Sequence, residues 1–493
     1  MQKKALIIGA GLGGLATALR LAKKGFKVEM VEKYKQAGGR LNQLKKDGFT
    51  FDMAPTFFSM TYEFTEFIND CGINMPFTFE ELSPIYAVNL RGKNYLIHKE
   101  LNKLHDEFKH IEPDFDKKVK KYLDSAGSFF HDTIDKVVKK NYHSKLDYLF
   151  TLATVPPKHA PKMLRTYWQE LERYFTTDEV KIIFSLASFF LGATPFNTAA
   201  IYTILSYTEL LHDGYHNVKG GMYKIVEGLL QELKKENIKI TYNTEIIGFS
   251  EDKKNKINGF IDRDGKNHQA DIFVVNADAA SFRGRVLKHE NFSEKKLSRM
   301  HWTLAPFTMY LGVKGKIDKL HHHHYFLGNN FSDYANTIFS SGNAPEQPYY
   351  YVNVPSRSNP DHAPPGHEAL FILCPVSDLR YKAIWHDKEE LSNSIIKDLS
   401  RKIGYPLEDK IVSKTILSPP EWEKMFNLYK GSGLGLAHKL NQIGGFRPKN
   451  VDEKYKNVFY AGSSTVPGTG LPMAIISSKL VTQKILNSYD GFI

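Results

Sequence analysis

The chain has 493 residues, 42% apolar and 24% charged, with Lys+Arg 66 against Asp+Glu 54 for a formal net charge of +12. At roughly 150 residues per domain this length predicts two or three domains, and the composition excludes disordered, collagenous and coiled-coil classes. The positive excess is spread without a run of five like charges, which favours an anionic partner or membrane surface over nucleic acid, and Cys71 and Cys374 alone exclude a disulfide scaffold.

Residues 4–9 form an apolar run closing on glycine, the signature of a buried parallel strand. Leu15, Leu19 and Ala22 at helical spacing predict a helix over 12–24 that Gly25 stops, and 27–32 predicts a second strand, so the chain opens on a βαβ unit. Helical stretches follow at 101–125, 128–140, 162–176, 178–191 and 198–212, with almost no strand signal between them. Strands return at 237–249 and 256–277, with a hairpin turn at Asp264-Gly265, and again at 303–313, 323–328, 348–354 and 368–376. A strand at 457–462, a Gly/Pro loop and a helix from about 472 close the pattern. The opening residues carry no apolar h-region or cleavage site, so no export is expected.

Gly9, Gly11 and Gly14 fit G-x-G-x-x-G between the first strand and its helix, where glycines permit a tight turn and a close backbone approach to a pyrophosphate. Glu32 ends the second strand 18 residues beyond Gly14, where an acid would hold a ribose hydroxyl. Together these predict a dinucleotide. Glu32 and Lys33 are followed, after four residues, by Gly38-Gly39-Arg40: another close backbone approach and a guanidinium able to clamp phosphate. This arrangement resembles the flavoprotein superfamily of amine oxidases and carotenoid desaturases, and the resemblance implies FAD. A second copy fails, because Gly431–Gly435 lacks the sixth-position glycine, so no built-in NADPH site is expected.

Further segments, in order, resemble the bacterial-type phytoene desaturase family, which includes isomerases and hydroxycarotenoid 3,4-desaturases. Gly48–Thr56 is similar to the family's turn beside the flavin ring, with Ala54 where glycine is usual, followed by Pro55 and Thr56. Gly220-Gly221-Met222 looks like the Gly-Gly-Met return to the cofactor domain, and Ile247 matches the position whose backbone faces the adenine. Ala270–Asp278 is similar to a buried strand ending in polar residues. Phe459–Met473 resembles the closing flavin motif, with Gly462 in the loop and Leu471, Pro472 and Met473 at the helix start. Val466 stands where the family usually has histidine. The resemblance implies that Gly9, Gly11, Gly14, Glu32, Lys33, Gly39, Arg40, Ala54, Pro55, Thr56, Ile247, Gly462, Leu471, Pro472 and Met473 bind the cofactor. It names no catalytic residue.

Residues 182–208 run without a charge, long enough to span a bilayer by count, but Gly192, Pro195 and Asn197 interrupt them. They read as two buried or interfacial helices lining a lipophilic tunnel or membrane face, with ordinary core or a transmembrane segment as the alternatives. The stretch Lys145–Arg173, with Lys158, Lys162 and Arg165, suits an anionic membrane surface or a solvated helix face. His321–His324 cannot all point at one ion from a strand, so no metal is expected. Asp213, His212 and His216 are candidate proton acceptors by position only, and a surface loop is the simpler reading. Phe57, Phe58 and Tyr62 could stack on a polyene, and Ser59 and Tyr62 could bind an end hydroxyl; core packing explains the same aromatics.

The expectation is an α/β protein: a Rossmann-like FAD-binding domain (parallel sheet, βαβ start) with an inserted substrate domain of mixed sheet and apolar helices. The first is assigned 1–85, 215–300 and 425–493, and the second, which also associates with membrane, 86–214 and 301–424. The expected function is an FAD-dependent carotenoid desaturase acting on a later, hydroxylated acyclic or monocyclic carotenoid, for instance by 3,4-desaturation, or on phytoene. A quinone or oxygen would accept the electrons, at the cytoplasmic, inner face of the cell membrane, with no nucleic acid involved. Flavin amine oxidase and non-catalytic FAD-bearing isoprenoid-binding protein are the alternatives.

Overall fold

A computed structural model describes residues 2–252, 255–339, 342 and 347–489. The opening βαβ unit forms as Lys4–Ile8, Leu12–Lys23 and Lys27–Val31. Its strands lie inside a five-stranded parallel sheet in the order Val458–Tyr460, Ile272–Val275, Lys4–Ile8, Lys27–Val31, Lys239–Thr241. Both faces are covered, so Ile272–Val275 is apolar throughout and Lys4–Ile8 is apolar after its first residue, while Lys27–Val31 keeps Lys27 and Glu29 at its less buried positions. Ala5 and Ile7 pack against the helices Leu12–Lys23, Lys224–Lys235 and Leu471–Tyr489. Leu6 and Ile8 face a three-stranded antiparallel sheet through Ile246, Ile257 and Phe260. The turn at Asp264-Gly265 closes one of its hairpins, with Gly265 at φ +83°.

A seven-stranded mixed sheet is built from two separated stretches of chain, in the order Ile411–Leu417, Ala305–Lys314, His367–Val376, Tyr350–Asn353, His323–Phe326, Tyr86–Leu90, Lys93–Ile97. Alternation along its strands sorts two cores. Phe307, Met309, Leu311 and Val313 face the helix Lys388–Ile403. Tyr310, Tyr325, Tyr351 and Phe371 face the helical region 101–212 in a core rich in aromatic rings. The α/β class with a parallel and a mixed sheet is therefore the one that forms.

Four local expectations are corrected. The strands Tyr86–Leu90 and Lys93–Ile97 were not anticipated; they meet at Arg91 (φ +53°) and Gly92 (φ +80°), a turn without the usual Asn-Gly marker. The helix Lys388–Ile403 and the edge strand Ile411–Leu417 lay in a stretch with no assignment. The helix expected over 101–125 breaks into Leu101–Phe108 and Phe115–Thr133, because Pro113 has no N–H to donate and Asp114 turns left-handed at φ +53°.

The uncharged run 182–208 is not an interfacial face. It breaks at Gly192 (φ +63°) and sinks Ile182, Ile183, Phe184, Leu186 and Leu191 into the aromatic core and its surroundings. Among the described residues, no helix is long and apolar enough to cross a membrane. The most exposed large apolar side chains include Leu146 (65% exposed), Phe150 (73%) and Leu164 (88%), all earlier in the chain than this run.

Candidate functional site

The three motif glycines are required by their surroundings. Gly9 has φ +98°, and a Cβ there would lie 2.7 Å from the Asn276 carbonyl oxygen. A Cβ on Gly14 would collide with the Gly9 carbonyl, and one on Gly11 would lie 2.9 Å from Asn276 Oδ1. The loop therefore presses against the end of Ile272–Val275, and Asn276 joins it to the closing motif. Its Oδ1 accepts the Gly14 N–H at 2.8 Å, and its Nδ2 donates to the Ala461 carbonyl at 3.2 Å. Gly462, at φ +99°, would place a Cβ 2.6 Å from that same Nδ2. The second glycine pair docks on the first loop: Gly38 N–H donates to the Ala10 carbonyl at 2.8 Å, and a Cβ on Gly39 would lie 3.2 Å from Gly11 Cα. Three motifs far apart in the chain converge on one concave stretch of backbone at the start of Leu12–Lys23, whose N-cap Gly11 offers no side chain to it.

Glu32 is buried at this edge, its Oε2 accepting the Ala10 N–H at 2.6 Å and its Oε1 the Tyr34 N–H at 3.0 Å. Burial raises its carboxyl above the ordinary carboxylate range, against the pull of those backbone N–H groups. The Thr244 N–H donates to the Glu32 carbonyl at 2.8 Å, which sets 244–247 beside the same edge. Ile247 follows with its side chain 52% exposed. Lys33 points away from the loop, donating to Asn427 Oδ1 at 2.8 Å and pairing with Glu245 at 3.3 Å.

Arg40 donates to the Gly433 carbonyl at 2.9 Å and to the Ser463 hydroxyl, so its guanidinium spans the closing loop. Two residues that sequence reasoning missed hold this loop from behind. Arg447 is buried and donates to the carbonyls of Ser463 at 2.6 Å, Thr465 at 3.0 Å and Leu436 at 3.2 Å; desolvation lowers its affinity for its proton to about 10. His438 Nε2 accepts the Thr469 N–H at 3.2 Å, and burial keeps its ring neutral. Neither sits in a recognisable motif, and only the fold brings them to 463–469. Val466, where histidine is usual, packs on Ile476 and Leu480. Beyond it the helix Leu471–Tyr489 starts, its Ser477 hydroxyl accepting the Gly462 N–H at 3.1 Å.

The turn Ala54-Pro55-Thr56 is held on both sides. Tyr310 donates its hydroxyl to the Met53 carbonyl at 2.7 Å, and Asp52 Oδ1 accepts the Met222 N–H at 3.0 Å, joining this turn to the Gly-Gly-Met segment. Ala54 does not adopt a left-handed backbone, so glycine is not needed there for conformation. Thr56 Oγ1 lies 2.8 Å from the Tyr351 hydroxyl, which lies 2.5 Å from His323 Nδ1. Phe57 stacks on His323 at 4.1 Å and contacts Tyr215 at 4.7 Å and Tyr351 at 5.2 Å. Phe58 instead points into the cofactor-side core against Phe64, Phe77 and Phe79, so it is not available to stack on a ligand.

The surface-loop reading of 212–216 holds for His212, which is exposed, and is corrected for Asp213 and His216. Asp213 Oδ2 and Oδ1 accept the Thr61 N–H and hydroxyl, each at 2.9 Å, at the start of the helix Thr61–Cys71. His216 is buried in the strand His216–Val218, and the His212 ring stacks on Tyr207 at 5.4 Å. The four histidines 321–324 separate: His322 Nδ1 lies 2.9 Å from the Ser358 hydroxyl, His323 meets Tyr351, and His324 stacks on Phe326 at 4.3 Å.

These residues fit FAD. The glycine loops form a cradle that any Cβ would fill, beside a helix N-terminus suited to a pyrophosphate. The buried Glu32 carboxylate at the end of the second strand is suited to a ribose hydroxyl, and the Arg40 guanidinium spans the closing loop.

The family model described as flavin-containing amine oxidoreductase matches residues 12–486. The chain is 32% identical to the zeta-carotene-forming phytoene desaturase of Myxococcus xanthus, over 98% of this chain and 94% of that protein. It is 30% identical to the phytoene desaturase of Fusarium fujikuroi (100% and 90% covered) and 28% identical to the carotenoid 3,4-desaturase of Haloarcula japonica (97% of each). Among solved structures it is similar in fold to an oxidoreductase from Methanosarcina mazei, with a TM-score of 0.64 at 16% identity over 97% of this chain and 100% of that one. A putrescine oxidase shares the fold with a TM-score of 0.65 at 13% identity, 99% of each chain being covered.

Proposed function

Because the chain belongs to the flavin-containing amine oxidoreductase family and, within it, to the carotenoid desaturases, we propose that it oxidises one end of a later, oxygen-bearing acyclic or monocyclic carotenoid. It is an FAD-dependent oxidoreductase. Bound FAD supplies the two-electron acceptor that a substrate without a chemical handle requires. The protein's part is to hold and orient. Gly9, Gly11, Gly14, Gly39 and Gly462 would give the backbone approach, Glu32 would accept from the ribose, Ile247 would border the adenine with Lys33 behind it on Asn427 and Glu245, and Arg40 would offset phosphate charge. Ala54, Pro55 and Thr56, together with Leu471, Pro472 and Met473, would border the flavin. Electrons leave to a quinone or oxygen.

The observation that carries the substrate reading is the polar lining next to Thr56. A pure hydrocarbon needs only a dry apolar wall, yet Tyr351, His323, Tyr215 and Tyr86 put hydroxyl and imidazole groups around Phe57 inside the aromatic core. These groups bond one another, Thr56 through Tyr351 to His323 and Tyr215 to Glu209, a network that a ligand hydroxyl can join and a hydrocarbon cannot. A second reading, phytoene as substrate, is favoured by the activities of the Myxococcus and Fusarium relatives.

The membrane contact is assigned to Leu146, Phe150 and Leu164, exposed apolar side chains that suit insertion at a lipid surface. Nearby, Lys162, Arg165 and Arg173 share the single buried carboxylate of Glu170, so the cluster keeps a positive excess towards anionic headgroups. This face would lie on the cytoplasmic side of the cell membrane. Purified FAD-loaded protein in liposomes, given phytoene or a hydroxylated carotenoid, tests the substrate: a red-shifted product from the hydroxylated compound is expected. Multi-step colour from phytoene with no reaction on the other would establish the second reading.

A further inference from the structure

Glu209, in the helical turn Thr208–His212, is 3% exposed and projects into the aromatic core. Its Oε2 receives the Tyr215 hydroxyl at a long 3.4 Å, and the Tyr86 hydroxyl faces the same carboxyl. Its Oε1 is buried with no hydrogen-bond partner among the described residues, and no cation lies against it. Other buried acids here are paired: Glu170 with three cations, and Glu112 with Lys118 and the 176–177 backbone. An unpaired carboxyl in an apolar core carries a desolvation cost that a leucine of similar size would avoid. The two tyrosine hydroxyls offset part of that cost and leave Oε1 without a partner.

The place of this carboxyl is informative. Tyr215 packs on Phe57, and Phe57 directly follows Thr56, so Glu209 stands two rings away from the Ala54-Pro55-Thr56 turn. Tyr86 lies at 5.4 Å from Tyr325 and 6.5 Å from Tyr215, completing a wall of flat rings around the carboxyl. A flat polyene matches such rings in chemistry, and one hydroxyl on it would find an acceptor at Oε1.

We propose that Glu209, with the hydroxyls of Tyr86 and Tyr215, is the clasp for a hydroxyl group that the polyene carries only a few carbons from the bond being oxidised. This deepens the substrate reading above and rests on it. The clasp is a specificity and positioning device. It selects oxygen-bearing ends because the hydrocarbon analogue would leave the carboxyl unpaired, and it fixes which bond stops at the Thr56 turn.

The test uses the FAD-loaded full chain and an acyclic carotenoid with and without a hydroxyl at its end, with binding read as quenching of tryptophan fluorescence. The wild type is expected to prefer the hydroxylated ligand by about tenfold or more, and Glu209→Leu, Tyr86→Phe and Tyr215→Phe to bring that preference close to one. Glu209→Gln, which keeps a donor and an acceptor, should retain part of it. A purely structural Glu209 would predict lower melting temperatures with the preference intact, whereas a clasp predicts that Glu209→Leu melts higher while losing the preference. Equal wild-type binding of both ligands, or an unchanged preference in the folded Tyr→Phe variants, overturns the proposal, and the latter keeps the test open should Glu209→Leu fail to fold. Turnover by the wild type separates the two ideas. Oxidation of phytoene alone sinks the substrate reading and the clasp with it, and oxidation of the hydroxylated carotenoid with unaltered variants sinks only the clasp.

Discussion

Asn276 accepts the N–H of Gly14 through its side-chain oxygen at 2.8 Å, and by that contact ties the first glycine loop to a strand 262 residues away. Its amide nitrogen, donating to Ala461, reaches the closing loop as well. One short polar side chain thus sets the spacing of the two loops between which a dinucleotide would lie.

Asn276→Ala should therefore leave the Gly14 N–H and the Ala461 carbonyl without partners, at a cost of about 1–3 kcal/mol. The as-purified variant should carry less flavin per chain and melt earlier. Flavin absorbance relative to protein, before and after added FAD, reads the first effect. A fully loaded variant would show that Asn276 does not shape the cradle.

Gly11→Val should be colourless, because its Cβ would lie 2.9 Å from Asn276 Oδ1 and its methyl groups would occupy the approach of the pyrophosphate. Glu32→Gln should bind FAD more weakly but still fold, since the amide keeps one acceptor for the Ala10 N–H. A normal yellow spectrum for Gly11→Val argues against the assigned loop.

The pH dependence of stability should reveal Glu209. Burial raises its carboxyl from 4.5 to about 7 although the Tyr86 and Tyr215 hydroxyls favour the ionised form. The folded state therefore holds this proton more tightly than the unfolded chain. That contribution is fully present below about 4.5 and is lost as pH rises through about 7. It amounts to about 3 kcal/mol, taking about 1.4 kcal/mol for each pH unit. Denaturant melts at pH 5 and pH 8 should show wild type losing more stability than Glu209→Gln over that interval; parallel losses would contradict it.

Phe150→Asp combined with Leu164→Asp should weaken binding to anionic vesicles while leaving the melting temperature unchanged, because both side chains are exposed. Burying each would contribute about 1.5–3 kcal/mol at the lipid surface. Co-flotation with vesicles at low and high salt measures it. High salt should remove only the headgroup attraction of the Glu170 cluster, so flotation that survives the double substitution and disappears with salt would locate the contact in the basic residues instead.

The sequence alone determined the βαβ opening, the FAD cofactor and the family, because these rest on local rules. Gly9, Gly11 and Gly14 are demanded by a turn of six residues, and Glu32 by the end of the next strand. What depends on contacts between distant segments was not legible. Asn276, Arg447 and His438 act on loops hundreds or tens of residues away and belong to no periodic pattern. The uncharged run 182–208 could be read as a lipophilic tunnel, a membrane face or span, or core, since hydropathy measures only the wish to leave water. Packing against Tyr122, Tyr167 and the mixed sheet decided for core, and left Leu146, Phe150 and Leu164 on the surface. Glu209 was hidden for the same reason. A single acid near the end of a helical stretch reads as solvated, and only the tertiary fold, by closing Tyr86 and Tyr215 around it, takes that carboxyl out of water.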